Sequence, residues 1–349
     1  MRPISGPQAE REAEKVLRDL LHPLEARLHR QARSGSDREA DIVARIGGVR
    51  LLLEVKNQAR ATMVAAGIEQ LRSLVARTGD DATPVLVVPF MGDVGKRLCA
   101  EAGVSWMDLC GNADIVAKGV RIRVEGRPNR FVASGRPSTA FAPKSSRLAR
   151  CLLMEPKRVF TQRELTSVAD LDAGFASRIL RRLAEDKLII RQDGGIRVRD
   201  PKLLLDTWQE SYDFKRHRIT KAHITARSGE EGLHVLASGL RAHSIDHAVT
   251  GLAGAWLLTH FAAFRLVTVY VREPLPDPVV EALGLRYEER GANVWIVEPS
   301  DAGVFHGSGK VGGVSCVHPV QDYLDLKAHP ERASDAAAEL RAKTMRWHL

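Results

Sequence analysis

The stretch EADIVARIGGVRLLLEVKNQ, residues 39–58, leaves little freedom in how it can fold. Apolar, β-forming runs flank Gly47-Gly48, and a glycine pair in that position marks a two-residue hairpin, because its turn needs the positive φ that glycine tolerates. With that loop Ile46 opposes Val49 and every cross-strand pair of residue numbers sums to 95, so Asp41 falls opposite Glu54. Lys56 lies two residues beyond Glu54 and therefore faces the same way. The other face carries Ile42, Ala44, Ile46, Val49, Leu51, Leu53 and Val55, which is wholly apolar and has to be core.

Two opposed carboxylates repel unless a cation lies between them. Lys56 relieves part of that repulsion. A divalent ion with oxygen ligands relieves more, and Mg²⁺ is commonly held by one or two carboxylates together with substrate phosphate. In phosphodiester hydrolysis such an ion polarises the phosphoryl oxygen and acidifies a bound water. A neighbouring lysine orients that water or stabilises the charge of the transition state.

The sequence around the hairpin alternates. EREAEKVLRDLLHPLEARL places apolar residues at 16, 17, 20, 21, 24 and 28, one helical face. After the hairpin come a helix from about 62 to 77, a buried strand PVLVVPF, and the helix DVGKRLCAEAG closed by Gly103. VSWMDL and the pair DIVAKGVRIRVEG complete a mixed sheet in the order α-β-β-α-β-α-β, within a domain of residues 8–132. Asp41 and Glu54-Val-Lys56 in this setting resemble the PD-(D/E)XK motif of the restriction-endonuclease-like nucleases, in particular the resolvase-like and RecB-like branches. The resemblance covers about residues 8–125 and implies a mixed sheet flanked by helices, with Asp41 and Glu54 as ligands of Mg²⁺ (or Mn²⁺) and Lys56 as the catalytic lysine. It also implies an acid from the first helix, which Glu10 matches, with Glu14 one turn later as the competing choice. Gln70 stands where some branches place a helix glutamine, although Leu74 replaces the tyrosine that usually follows, and Ala40 replaces a proline before the Asp. Asp108 is a further carboxylate near a strand end, and a turn at Gly111-Asn112 accounts for its segment better than catalysis does.

Composition sets the class. The chain has 349 residues, 44% hydrophobic and 27% charged, which suits a globular protein of two or three domains. No apolar run approaches the roughly 20 residues of a membrane span. The beginning MRPISGPQAEREAEK lacks the apolar core of a secretory signal, so a cytoplasmic location is expected. Cys99, Cys110, Cys151 and Cys316 form no CxxC pair, which argues against a disulfide framework or a zinc knuckle and fits a reducing compartment.

The net charge of +9 is uneven: residues 144–222 hold 18 Lys/Arg against 11 Asp/Glu. Such an excess suits a polyanion-binding surface. FVASGRPSTAFAPKS, residues 131–145, reads as a linker into this basic block, and residues 144–205 have the layout of a winged helix-turn-helix. One helix spans 145–154, Thr161 and Glu164 form a capping box for a second at about 162–169, and Asp172 caps a third, AGFASRILRRLAED. In that third helix Ile179, Leu180 and Leu183 face inward, while Ser177, Arg178, Arg181 and Arg182 project outward. The hairpin LIIRQDGGIRVRD, turning at Asp193-Gly194-Gly195, forms the wing and bears Arg191, Arg197 and Arg199. A helix of that width fits the DNA major groove, and arginines bond guanine edges or phosphates.

The third block, residues 225–349, opens with an apolar helix pattern at 245–263, contains the strands RLVTVYVR and NVWIVEP, and ends in a charged helix from 331. Trp256, Phe261, Phe264 and Trp295 read as core, and His243 and His247 as surface or cap histidines. Its stretches HAVTGLAGAWLLTHFAAFRLVTVYV and VQDYLDLKAHPERASDAAAELR resemble the C-terminal domain of AbiEi-type antitoxins of type IV toxin–antitoxin systems. That resemblance, over roughly 144–345, implies transcriptional autoregulation or a nucleotidyltransferase toxin as partner.

The expected fold is therefore α/β: a nuclease-like sheet, a winged helix, then a second α/β domain. Two functions follow from it, a Mg²⁺-dependent DNA endonuclease acting as a homodimer or as a nickase, or a DNA-binding regulator with a non-catalytic nuclease-like domain.

Overall fold

The computed structural model describes residues 4–22, 26–30, 40–78, 82–131, 139–192, 194–326, 329–330 and 333–347. The chain divides into two compact units, Met1–Arg136 and Pro137–Leu349. Most of the stretch expected to be a linker, residues 132–138, lies outside the described residues, as does Asp193 of the expected wing turn.

The first unit begins with helix α1 (Gly6–Leu21), which buries Ala9, Ala13, Val16, Leu17 and Leu21 along one stripe. The helix was expected to run through residue 28. Instead it stops at Leu21, and His22 turns to φ −56°, ψ 132°. His22 precedes Pro23, whose ring disfavours the helical region for the residue before it. The chain continues as strand β1 (Ala26–Arg30), antiparallel to β2 (Ile42–Ile46). Strand β2 pairs with β3 (Val49–Val55) from Ile46↔Val49 to Ile42↔Leu53, the expected register. Gly47 has φ +56°, as the first central residue of such a tight turn requires.

Then follow α2 (Ala61–Thr78), β4 (Ala82–Val88), α3 (Asp93–Ala102), β5 (Ser105–Asp108), β6 (Ala113–Ala117) and β7 (Val120–Val124). The seven strands lie in sequence order in one sheet, with β3–β4 and β4–β5 parallel and the other pairs antiparallel. Helix α1 covers the face carrying Ile42, Ala44, Leu51, Leu53, Val85 and Val87. Val64, Ile68, Leu71 and Leu74 of α2, with Cys99 of α3, cover the other face over Val43, Leu52, Leu86 and Trp106. Both sides of the hairpin are thus largely covered in a three-layer unit; Asp41, Glu54 and Lys56 sit at its open end and the Arg45↔Arg50 pair beside the turn.

The second unit opens with α4 (Ser146–Met154), α5 (Gln162–Val168), α6 (Ala173–Glu185), and the hairpin β8 (Ile189–Gln192) and β9 (Gly195–Val198). The capping box is formed: Thr161 Oγ1 accepts from Glu164 N at 3.1 Å, and Glu164 Oε2 accepts from Thr161 N at 2.7 Å. Asp172 Oδ1 caps α6 by accepting from Phe175 N. Phe160 bridges to Ile196 and adds a third short edge to the hairpin.

The remainder comprises α7 (Pro201–Ser211), β10 (Arg218–His223), α8 (Gly229–Ala242), β11 (His247–Thr250), α9 (Gly251–Thr259), β12 (Val267–Val271), α10 (Asp277–Ala282), β13 (Arg286–Tyr287) and β14 (Val294–Glu298), then β15 (Gly309–Val311), β16 (Val314–Cys316), α11 (Pro319–Leu326) and α12 (Ala333–Thr344). Its sheet runs β13-β10-β14-β12-β11-β16-β15. Strand β10 belongs to it, so this sheet begins before residue 225, and one buried cluster extends from Ala140 to Met345. Arg341 of α12 ties α7 to this core by pairing with the fully buried Asp206.

The apolar run at 245–263 is not one helix. His247–Thr250 pair with β12 and β16, and the helix starts at Gly251. A short, continuously apolar run does not distinguish a buried strand from a buried helix. Gly251, at φ +66°, makes the corner, and a Cβ there would collide with the His329 ring. Gly254 lets α9 approach α11 closely, since its Cβ would stand 2.8 Å from an Asp322 oxygen. Phe264 is buried as expected, but Phe261 is 38% exposed just beyond the end of α9. His247 is buried too, its Nδ1–H donating to Ile245 O at 2.8 Å, so it is not the surface histidine the sequence suggested.

Candidate functional site

The end of the β2–β3 hairpin gathers most of the residues singled out from the sequence. Asp41 immediately precedes β2, and its Oδ2 accepts from Val55 N at 2.8 Å. Lys56 Nζ donates to Glu54 Oε1 at 2.7 Å and to Gln70 Oε1 on α2. The backbone of Lys56 is fixed as well, its N–H donating to Val87 O at 2.8 Å. The Lys56 and Glu54 side chains are 12% and 15% exposed, so this ion pair is sheltered from most solvent screening.

Gly67 permits the arrangement and was missed in the sequence, where an isolated glycine inside a helix is the signal. A Cβ at Gly67 would lie 2.5 Å from Leu86 Cδ1 and 3.2 Å from Lys56 Cε. The lysine stem therefore passes under α2 at the one place where the helix has no side chain, and its ammonium emerges beside Gln70.

Glu10 is not brought into this group. It lies on α1, which packs on the opposite face of the sheet from Lys56 and Gln70, and so does Glu14. Among the described residues no third His, Cys, Asp or Glu joins Asp41 and Glu54 in a metal-sized cluster. Asp108 is structural: fully buried, it accepts from Met91 N, Cys110 N, Asn112 N and Asn112 Nδ2 at 2.9–3.2 Å, which saturates both oxygens. Asp41 and Glu54 remain as the two carboxylates able to hold a hard divalent cation, a donor set that suits Mg²⁺ or Mn²⁺ when phosphate and water complete the sphere.

In the second unit α6 presents Arg178, Arg181 and Arg182 to solvent, with Ser177 half-buried beside them. Arg178 lies 5.8 Å from the Phe175 ring, and Arg182 pairs with Asp186 at 3.2 Å and Glu185 at 3.7 Å. On the hairpin and just beyond it, Arg191 and Arg199 are exposed and Arg197 is half-buried, its Nε donating to Gln192 Oε1 at 3.4 Å. Arg181, Arg191 and Arg199 have no ion pair among the described residues.

Helix α11, the VQDYLDL segment, contributes a buried polar network. Asp325 accepts from Tyr212 and Tyr270 hydroxyls, Gln321 Nε2 and Thr250 Oγ1. Burial pushes its carboxyl up to about 6 despite those donors. Burial also raises Asp322, beside it, well above the usual range.

Residues 197–345 match the family described as "Transcriptional regulator, AbiEi antitoxin, Type IV TA system". No curated protein matches the chain. A solved structure, "Structure of EndoMS-dsDNA2 complex", is similar at 18% identity and a TM-score of 0.24, over 31% of this chain and 46% of that one, which is too slight to bear on the fold or the function. This chain thus spans less than half of that structure's chain. No helix among the described residues is long and apolar enough to cross a membrane.

Proposed function

We propose that the protein is a DNA-binding, metal-dependent phosphodiesterase that cleaves DNA through Asp41, Glu54, Lys56 and Gln70. The observation that carries this reading is the clamped lysine: its ammonium is held between Glu54 and Gln70 at the end of a hairpin where Asp41 accepts from Val55 N. Asp41 and Glu54 would hold Mg²⁺ or Mn²⁺. Bound there, the ion would polarise a phosphoryl oxygen and acidify a water. The Val55 N–H keeps Asp41 turned toward the ladder end. Lys56 then offers a proton-bearing cation to the developing charge, already oriented, so little reorganisation accompanies reaction. Gln70 holds the ammonium by its amide oxygen. Arginines on α6 and the β8–β9 hairpin would bind duplex DNA, and tethering raises the local concentration of DNA at the hydrolytic site. Cutting both strands needs two such sites, so a double-strand cut implies a homodimer.

A second reading has its own support. The AbiEi-type match over 197–345 favours a transcriptional regulator or antitoxin that binds DNA near its own gene, with a nucleotidyltransferase toxin as partner and the first unit used for assembly. Incubating supercoiled plasmid with wild type and Glu54→Gln separates the two. The hydrolase reading expects relaxation or linearisation in Mg²⁺ or Mn²⁺, abolished by EDTA and by the substitution. Tight, sequence-specific binding without cleavage in either metal would leave the regulator.

A further inference from the structure

A cleft runs along the seam between the winged-helix elements and the C-terminal sheet of the second unit. Arg150, Trp208, Tyr212, His217, Ser300 and Asp301 are among its walls, and the space in it open to a small molecule is about 30 Å³, enough for one compact group. Arg150 of α4 is 3% exposed, and neither its Nε nor its Nη1 has a hydrogen-bond partner. Its guanidinium lies 5.0 Å from the Trp208 ring centre, which engages the π face of the cation and leaves its N–H edge unpaired. Trp208 Nε1, another donor in the same wall, is also buried without a partner.

The other charged groups lining the cleft are engaged. Asp301 accepts from Arg147 Nε and Nη2 at 2.8 and 2.9 Å. Asp213 accepts from Lys215 N at 3.1 Å and lies 3.9 Å from Arg216. Burial lowers the Arg150 pKa; Tyr212 and then Asp325, behind the wall, oppose this through space, but the Asp325 oxygens are occupied by Tyr212, Tyr270, Gln321 and Thr250. The Arg150 charge is felt by its neighbours: burial first, and then Arg150, lowers His217 to about 4. A buried guanidinium without hydrogen bonds or an adjacent counter-ion is costly, and one ligand class supplies both.

We propose that this cleft is a binding site for a small oxyanion, a carboxylate or phosphate group, recognised by the Arg150 guanidinium edge and the Trp208 indole N–H. A planar or tetrahedral oxyanion accepts from a guanidinium edge in bidentate fashion, the geometry for which arginine is suited. The site joins α4 and α7 to the C-terminal half of the unit, so its occupant stiffens that seam. It does not depend on the hydrolase reading.

The test is thermal unfolding of the full-length protein in sodium phosphate, sodium acetate or sodium chloride at one ionic strength. A ligand that binds only the folded state raises Tm logarithmically with its concentration. The expected result is a rise in phosphate or acetate over chloride, the more effective salt identifying the group. The rise should vanish in Arg150→Met and in Ser300→Phe, which blocks the mouth and leaves Arg150 in place, and should persist in Arg178→Ala/Arg181→Ala. Should Arg150→Met fail to fold, Ser300→Phe decides alone. Equal Tm in the three salts, or a rise that Ser300→Phe retains, overturns the proposal.

Discussion

Lys56 Nζ and Glu54 Oε1 stand 2.7 Å apart at the end of β3, separated in sequence by Val55 alone. The strand pleat holds the two on one face whatever the rest of the sheet does. Asp41, across the ladder, is fixed by a backbone N–H rather than by another side chain. This makes Lys56 replaceable without loss of the sheet. Lys56→Met is expected to fold, with a far-ultraviolet spectrum like that of wild type, and to lower the single-turnover cleavage rate about 10²–10³-fold, the usual cost of removing a donor aimed at developing charge.

Gly67 gives a subtler probe, because the substitution touches no charged atom. In Gly67→Ala the added methyl meets Leu86 Cδ1 at 2.5 Å and crowds Lys56 Cε. Overpacking of this kind costs about 1–3 kcal/mol. The urea midpoint should fall accordingly, and the cleavage rate should fall further than the loss of folded protein explains, because the lysine stem has to move. A rate that tracks the folded fraction would mean that the lysine's position is not critical.

The arginines of α6 are not equivalent. Arg182 is already paired with Asp186 and Glu185, while Arg181 has no such partner among the described residues. Each cation withdrawn from a DNA phosphate lowers the slope of log K against log salt by about 0.9. Arg178→Ala and Arg181→Ala should each weaken duplex binding and reduce that slope by about one, with Arg182→Ala reducing it by less. Fluorescence anisotropy across a salt series measures all three.

His329 predicts a pH dependence. Its Nδ1–H donates to Asp325 O at 2.8 Å, and its Nε2 accepts from the Thr268 hydroxyl at 2.9 Å, so the buried ring is neutral. Burial lowers its pKa to about 4, below the usual value of 6.5. A depressed folded pKa gives stability that is full above pH 6.5 and is lost as pH falls toward 4, because the unfolded chain takes up the proton first. Replacing the ring by a neutral amide in His329→Gln removes one such proton. The urea midpoint of the variant should therefore change less steeply with acidification over that window. An unchanged slope would place the histidine outside the linkage.

Much of the hairpin was legible because a two-residue glycine turn admits a single register, and Asp41, Glu54 and Lys56 followed from it. The Thr161–Glu164 box and the Asp172 cap were legible for a similar reason, since each is a local bond between residues three apart. Strand β1 was not, because Leu24 and Leu28 happen to continue a helical stripe, and Pro23 was the overlooked signal. Strand β11 was hidden in an apolar run where Gly251, which marks the corner, is followed by a second glycine, Gly254, inside the helix. Glu10 was placed by resemblance alone, since no spacing within α1 ties it to the hairpin. The Arg150–Trp208 stack and the Asp325 network join residues distant in sequence, and no periodicity or spacing marks them.

The most direct test of the hydrolase account is the single-turnover cleavage rate of a labelled duplex in Mg²⁺, measured for wild type and Asp41→Asn alongside the DNA affinity of each. The account predicts cleavage by wild type that EDTA abolishes, a rate lower by about 10³-fold in Asp41→Asn, and equal affinity for the duplex. Equal rates for the two proteins, or firm binding by wild type with no cleavage in Mg²⁺ or Mn²⁺, would contradict it.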